Sequence, residues 1–256
     1  MSHNYTYDIE MFRDTFESRF TYLNGFLRNV SRFGNRPAMF DPRSGRRWTY
    51  PELVADVDAC ALGLDALGVG KGDRVGIWAP NCAEWVFVQY GTAKLGAVLV
   101  NINPAYRTHE LKYVLDQAGI SVLVAAPEFK TSDYRAMVAE VREDCPQLRT
   151  VVFLGDPEWQ ELLATGRAAD RALLTERAAQ LSPDDPINIQ YTSGTTGFPK
   201  GATLTHHNLL NNGFFVGEGC GYTEADRVCI PVPYYHCFGM GMGNLGCTSH
   251  GATMVI

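Results

Sequence analysis

The chain has seven cysteines in 256 residues, at positions 60, 82, 145, 220, 229, 237 and 247, yet no Cys-x-x-Cys pair and no metal-ligand spacing. That excludes the usual zinc and dithiol motifs and predicts reduced, mostly core thiols in a reducing compartment. No apolar run approaches the roughly 18 residues of a membrane span. Basic excess is missing too: 22 Lys and Arg stand against 28 Asp and Glu, a net charge of −6. No electrostatic argument therefore favours nucleic acid as a partner. The N-terminal stretch lacks a basic-then-apolar signal segment and carries Asp8, Glu10, Asp14 and Glu17, which argues against a transit peptide. The expected location is cytoplasmic. There is no internal repeat and no low-complexity segment. What remains is 46% hydrophobic and 20% charged, the composition of a globular protein with a sizeable core.

Ile9, Phe12, Phe16, Phe20, Leu23, Leu27 and Val30 recur at helical spacing, predicting an amphipathic helix over about 9–33. Its other face holds Arg13, Arg19, Arg28 and Arg32, so it packs on a core or lies on a membrane surface. A hairpin is predicted around Asp41-Pro42-Arg43-Ser44-Gly45, because these residues favour turns. A helix follows, opened by Pro51 and ended by Gly68. From Arg74 onward, short β-branched segments alternate with helical ones. Strands are predicted at 74–78, 98–102, 121–126 and 150–154, and helices at 83–95, 108–117, 132–144, 158–165 and 171–180. This pattern predicts an α/β fold: layered, mostly parallel sheets flanked by helices. Pro183 and Pro186 interrupt it. The expected organisation is a helical segment over 1–35, a first α/β subdomain over 36–180, and the start of a second over 187–256.

The second of these opens on the most informative stretch, Tyr191-Thr-Ser-Gly-Thr-Thr-Gly-Phe-Pro-Lys-Gly201. Ile187 to Tyr191 alternates like a half-buried strand, and Thr205 stands as the N-cap of a helix beginning at His206. Between them lie three glycines, four hydroxyl side chains and one lysine. Glycines let the backbone turn and leave N–H groups facing an anion, the hydroxyls add donors, and Lys200 adds charge. This is phosphate-holding chemistry, although a Ser/Thr/Gly run also fits a plain surface loop. It is not a Walker A loop, because Gly201 occupies the position that needs Ser or Thr.

The order Ser193-Gly-Thr-Thr-Gly-x-Pro-Lys-Gly201 closely resembles the phosphate-loop signature of the adenylate-forming (AMP-binding) enzymes, which include acyl-CoA synthetases. Lys94-Leu-Gly-Ala-Val-Leu-Val-Asn-Ile-Asn-Pro104 and Arg107-x-x-Glu110-Leu111 resemble the acyl-CoA synthetase branch, and Pro233-Tyr-Tyr-His236 followed by Phe238-Gly239 is similar to the motif at its acyl pocket. The resemblance implies a two-step reaction with ATP, Mg2+ and coenzyme A on a small-molecule carboxylic acid, fatty or of medium length. A carboxylate attacks the α-phosphorus, releasing pyrophosphate, and a thiol then displaces AMP.

In that scheme Thr192, Ser193, Gly194, Thr195, Thr196, Gly197, Lys200 and Gly201 hold phosphate, with Lys200 and Thr196 catalytic. Tyr235, His236, Phe238 and Gly239 line the acyl site. A local turn bond is the alternative for each hydroxyl, and a satisfied core histidine the alternative for His236. Cys237 is expected to point away from His236, as strand neighbours do. Gly241-Met-Gly-Asn-Leu-Gly246 spells a dinucleotide fingerprint without its acidic residue, so close helix packing is the expected use of its glycines. His206 and His207 are expected at the surface or as capping residues. The family's adenine, ribose and metal-binding motifs and its late lysine are not found by Ile256. The chain is therefore expected to be an incomplete part of a ligase; the alternative is a truncated, non-catalytic nucleotide- or acyl-binding module.

Overall fold

The computed structural model describes residues 33–192 and 199–256. All but the last residue of the helix expected over 9–33, and residues 193–198 of the Gly/Thr loop, lie outside the described residues.

The alternating region forms a six-stranded sheet in the order β10-β9-β4-β3-β5-β8. Its core strands are β3 (Arg74–Trp78), β4 (Val98–Asn101), β5 (Val122–Ala125), β8 (Thr150–Phe153) and β9 (Pro186–Thr192). All neighbouring pairs among these five are parallel. Every residue of β4 and β5 is buried, as a sheet covered on both faces requires. β10 (Lys200–Thr205) closes one edge and runs antiparallel to β9. A second sheet has the order β11-β12-β1-β2, made of β1 (Pro37–Phe40), β2 (Arg47–Thr49), β11 (Arg227–Cys229) and β12 (Thr253–Val255). Met39 of β1 pairs in parallel register with Met254 of β12. Both sheets thus draw strands from either side of residues 181–186.

Helix α1 (Tyr50–Ala66) starts in a capping box between Thr49 and Glu52, with proline in its first turn. This satisfies backbone donors that would otherwise be orphaned. It crosses α5 (Pro157–Ala168) at two glycines. A Cβ on Gly63 would stand 2.3 Å from the Leu162 carbonyl oxygen, and one on Gly166 1.9 Å from that of Ala59. Under this crossing, Lys94 of α2 (Ala83–Leu95) is buried in an ion pair with Asp58. Nearby, Asp56 accepts from Arg46 at 2.9 Å, Trp48 Nε1 at 3.0 Å and Arg167 at 3.1 Å. These bonds tie the first hairpin to both helices.

Beyond β4 come α3 (Thr108–Ala118) and α4 (Tyr134–Arg142). The helix expected from Ser132 starts later because β6 (Glu128–Phe129) and β7 (Ser132–Asp133) form a tight hairpin, with Lys130 at φ 54°. Asp133 then caps α4 by accepting from Ala136 N at 3.0 Å. After α6 (Ala172–Ala178), β9 and β10 lead to α7 (His206–Cys220), capped by Thr205 as its sequence predicts. The stretch with the fingerprint glycines is a π-helix, Phe238–Leu245, continued by α8 (Gly246–His250). Close packing is what the small residues serve there: a Cβ on Gly243 would meet the Ile230 side chain at 2.8 Å. Of the thiols, Cys60, Cys145 and Cys247 are buried and Cys82 is half-buried, but Cys220, Cys229 and Cys237 are exposed. Cys82 packs against the core as well, so four of the seven thiols are core and three are not.

His206 also differs from expectation: it is fully buried. β10 feeds directly into α7, whose first N–H groups bond back to the Asp185 and Pro183 carbonyls, so the chain folds inward where a surface cap is expected. Burial pushes the His206 pKa down to about 4, opposed by the neighbouring Asp185 carboxylate and aided by Lys71. A folded pKa below the unfolded value of 6.5 means that the unfolded state binds more protons as pH falls. Stability present above pH 6.5 is therefore lost progressively toward pH 4. The linkage relation gives about 2 kcal/mol lost between pH 7 and 5 from this group. Urea midpoints at the two pH values check it: His206→Gln should flatten the difference, and an equal difference in the variant contradicts the assignment.

Candidate phosphate and acyl site

β9 and β10 are the two limbs of the hairpin that carries the Gly/Thr loop. Their register sets Lys200 opposite Thr192 and Gly201 opposite Tyr191, and Thr192 Oγ1 donates to the Lys200 carbonyl at 3.5 Å. Both Thr192 and Lys200 are exposed. The sequence marked Thr205 only as the N-cap of the following helix. Pairing against β9 makes the whole of Lys200–Thr205 a strand, although Lys200, Gly201 and Ala202 have weak strand preference. Ser193, Gly194, Thr195, Thr196 and Gly197 lie outside the described residues. Gly201 has a packing role: an added Cβ would stand 2.9 Å from the Ile189 side chain and 3.4 Å from the Tyr191 ring.

Two further tyrosines, Tyr106 and Tyr113, stand near Tyr191 at this hairpin end. Burial, with Tyr113 and Tyr106 nearby, pushes the Tyr191 hydroxyl up to about 12. Burial also raises Tyr106, which has Tyr235 beside it. These raised hydroxyls stay neutral donors and add no negative charge. Tyr113, on α3, donates to the Pro199 carbonyl at 3.2 Å.

Beside Tyr235 opens a cleft of about 390 Å³, lined by Arg43, Asn81, Asn103, Phe129, Pro233 and Tyr235 among others. Asn81 follows β3 and Asn103 follows β4, so the cleft lies beyond the carboxyl ends of parallel strands, where α/β sheets bind ligands. Two asparagines pin the wall that carries Tyr235. Asn81 Nδ2 donates to the Val232 carbonyl at 2.9 Å, and its Oδ1 accepts from Tyr234 N at 2.8 Å. Asn101 Nδ2 donates to the Tyr235 carbonyl at 3.1 Å. Arg43, read in the sequence only as a turn residue, donates to the Asn81 carbonyl at 2.8 Å and pairs with Asp41 at 3.2 Å.

The four expected acyl-site residues are adjacent but differ in setting. Tyr235 lines the cleft. His236 is exposed, and its Nδ1 accepts from Phe238 N at 3.2 Å, which leaves the proton of the neutral ring on Nε2. Phe238 is 49% exposed, a large apolar side chain facing solvent. Gly239 is buried, where a Cβ would stand 2.3 Å from the Pro233 carbonyl oxygen. The strand argument that turned Cys237 away from His236 fails, because the segment is a turn entering a helix. Cys237 Sγ comes within 3.7 Å of His236 Nδ1. Phe129, Tyr106 and Tyr113 went unmarked in the sequence, because what brings them to the site is contact with stretches distant in the chain, as between Tyr113 and Pro199. Asn103 stood inside a resembling stretch, but its place at the cleft, like that of Asn81, required the fold.

Among the described residues no group of three or more His, Cys, Asp or Glu side chains could hold a metal ion. The Mg2+ that the resemblance implies has no ligand set there. Nor is any helix among them long and apolar enough to cross a membrane.

The family described as AMP-binding enzyme matches residues 26–256. The medium-chain acyl-CoA ligase ACSF2 of Danio rerio, described as mitochondrial, is 38% identical over 249 residues, covering 88% of this chain and 41% of its own. The inhibitor-bound N-terminal domain of FACL13 from Mycobacterium tuberculosis superposes with a TM-score of 0.79 at 26% identity, covering 92% of this chain and 57% of that one. The anthranilate CoA ligase AuaEII, solved in complex with anthranoyl-AMP, gives a TM-score of 0.81 at 25% identity over 93% of this chain and 45% of its own. The chain spans about two fifths of the length of the curated relatives it matches. With a family match over residues 26–256 and a fold shared with acyl-CoA ligases, this chain belongs to the AMP-binding enzyme family.

Proposed function

We propose that this chain supplies the triphosphate site and one wall of the acyl pocket of an acid–thiol ligase. The observation that carries the reading is the register of Thr192 against Lys200 at the carboxyl end of β9, the same end of the parallel strands beyond which the cleft lies. In the first step a carboxylate oxygen bonds to the α-phosphorus of ATP, and the bond from that phosphorus to the bridging oxygen of pyrophosphate breaks. The protein's main task is then to neutralise charge on the leaving pyrophosphate. Lys200 and Thr196 meet that charge. Thr192, Ser193, Thr195 and the N–H groups of Gly194, Gly197 and Gly201 hold the β- and γ-phosphates.

The acid lies along the cleft wall of Tyr235, with His236 and Phe238 beside it and Gly239 shaping the turn beneath. Proline and Phe129 surfaces in the cleft suit an apolar fatty or medium-length chain. In the second step the thiol of coenzyme A attacks the acyl carbon and AMP leaves. A cytoplasmic location belongs to this reading.

In the complete gene product, Lys200→Ala should lower carboxylate-dependent ATP–pyrophosphate exchange at least tenfold, about 1.4 kcal/mol of transition-state stabilisation. Unchanged exchange would remove Lys200 from the site. The 256-residue chain by itself should form no acyl-CoA with any acid, and product from it would establish that it suffices.

A further inference from the structure

β10 is hydrogen-bonded on one side only, and Lys200 is its first residue. Strand ends at a sheet edge open readily, because few contacts hold them. Pro199, just before it, has no N–H to give to the ladder. Its carbonyl accepts from Tyr113 Oη at 3.2 Å, a bond spanning 86 positions of sequence. Among the described residues, no other hydrogen bond reaches residues 199–201 from outside the hairpin. Tyr113 is well placed to anchor: it sits on α3, and its ring is half-buried against the core.

We infer that Tyr113 is a positioning residue for the phosphate site, holding the loop exit so that Lys200 stands opposite Thr192 before the anion arrives. A cation fixed in advance spends no free energy on reorganisation as charge moves onto the leaving group. The inference rests on the phosphate reading of Lys200. It adds a residue outside the loop, on a different element, that sets how well the loop's cation performs.

Tyr113→Phe removes the hydroxyl and keeps the ring. The test compares this variant with the parent chain in amide hydrogen exchange and in binding of inorganic tripolyphosphate. Exchange at residues 200–202 should rise roughly threefold to tenfold, the effect of one lost hydrogen bond, while Ile189 in β9 stays unchanged. The Kd for tripolyphosphate should rise by a similar factor with no change in melting temperature, which a merely structural role would lower. On a Lys200→Ala background, Tyr113→Phe should add nothing to the loss of affinity if it acts through Lys200. Equal exchange and equal Kd in parent and variant would overturn this inference alone, as would additive losses in the double variant. Failure of tripolyphosphate to bind the parent chain would sink the phosphate reading and this inference with it.

Discussion

Lys94→Ala is expected to lower the stability of the chain by about 3 to 5 kcal/mol, the usual cost of leaving one buried charge uncompensated. The Lys94 side chain is 5% exposed and that of its partner Asp58 10% exposed, so water cannot replace the lost ammonium. Arg171 stands 3.7 Å from the other Asp58 oxygen but is itself largely exposed, which places the loss toward the lower end. In urea this corresponds to a midpoint shift of about 1 to 2 M. A loss below about 1 kcal/mol would mean that the pair is solvated. Replacing both partners, Asp58→Leu with Lys94→Met, should recover most of the stability, because the desolvation of both charges disappears together with their attraction.

The second large effect is expected at Gly166. Alanine there puts a methyl carbon 1.9 Å from the Ala59 carbonyl oxygen and 2.8 Å from Gly63 N. Both are backbone atoms, so no rotamer change relieves the contact, and α1 and α5 must move apart. Overpacking a core typically costs about 1 to 3 kcal/mol; a backbone clash belongs at or above the top of that range. Gly219→Ala is the matched control. It lies in α7, nothing stands within 4 Å of its added Cβ, and its φ is not positive. That change should be neutral or stabilising by up to about 1 kcal/mol. Equal melting temperatures for the two variants would contradict the close crossing of α1 and α5.

The alternating strands and helices were legible because β-branched runs and capping residues mark their own boundaries. β3, at Arg74–Trp78, and α2, at Ala83–Leu95, fall where the pattern sets them. The Gly/Thr loop was legible as a motif, since order and spacing survive in the sequence. β10 was not, because an edge strand that opens on lysine, glycine and alanine owes its conformation there to pairing with β9. His206 looked like a surface histidine for the same reason: nothing local shows that the helix start folds under Asp185. Lys94 could be read as part of a family stretch, but its burial against Asp58 depends on a contact across 36 residues.

The sequence by itself determined the α/β class, the family resemblance and the loop that holds a lysine among glycines and hydroxyls. Periodicity and residue order are local properties, and they are written in the chain. Only the tertiary structure decided which stretches meet: Tyr113 at Pro199, Asn81 at Val232 and Tyr234, and β1 beside β12. Those contacts are set by how apolar faces bury against one another, a global outcome that no single stretch encodes.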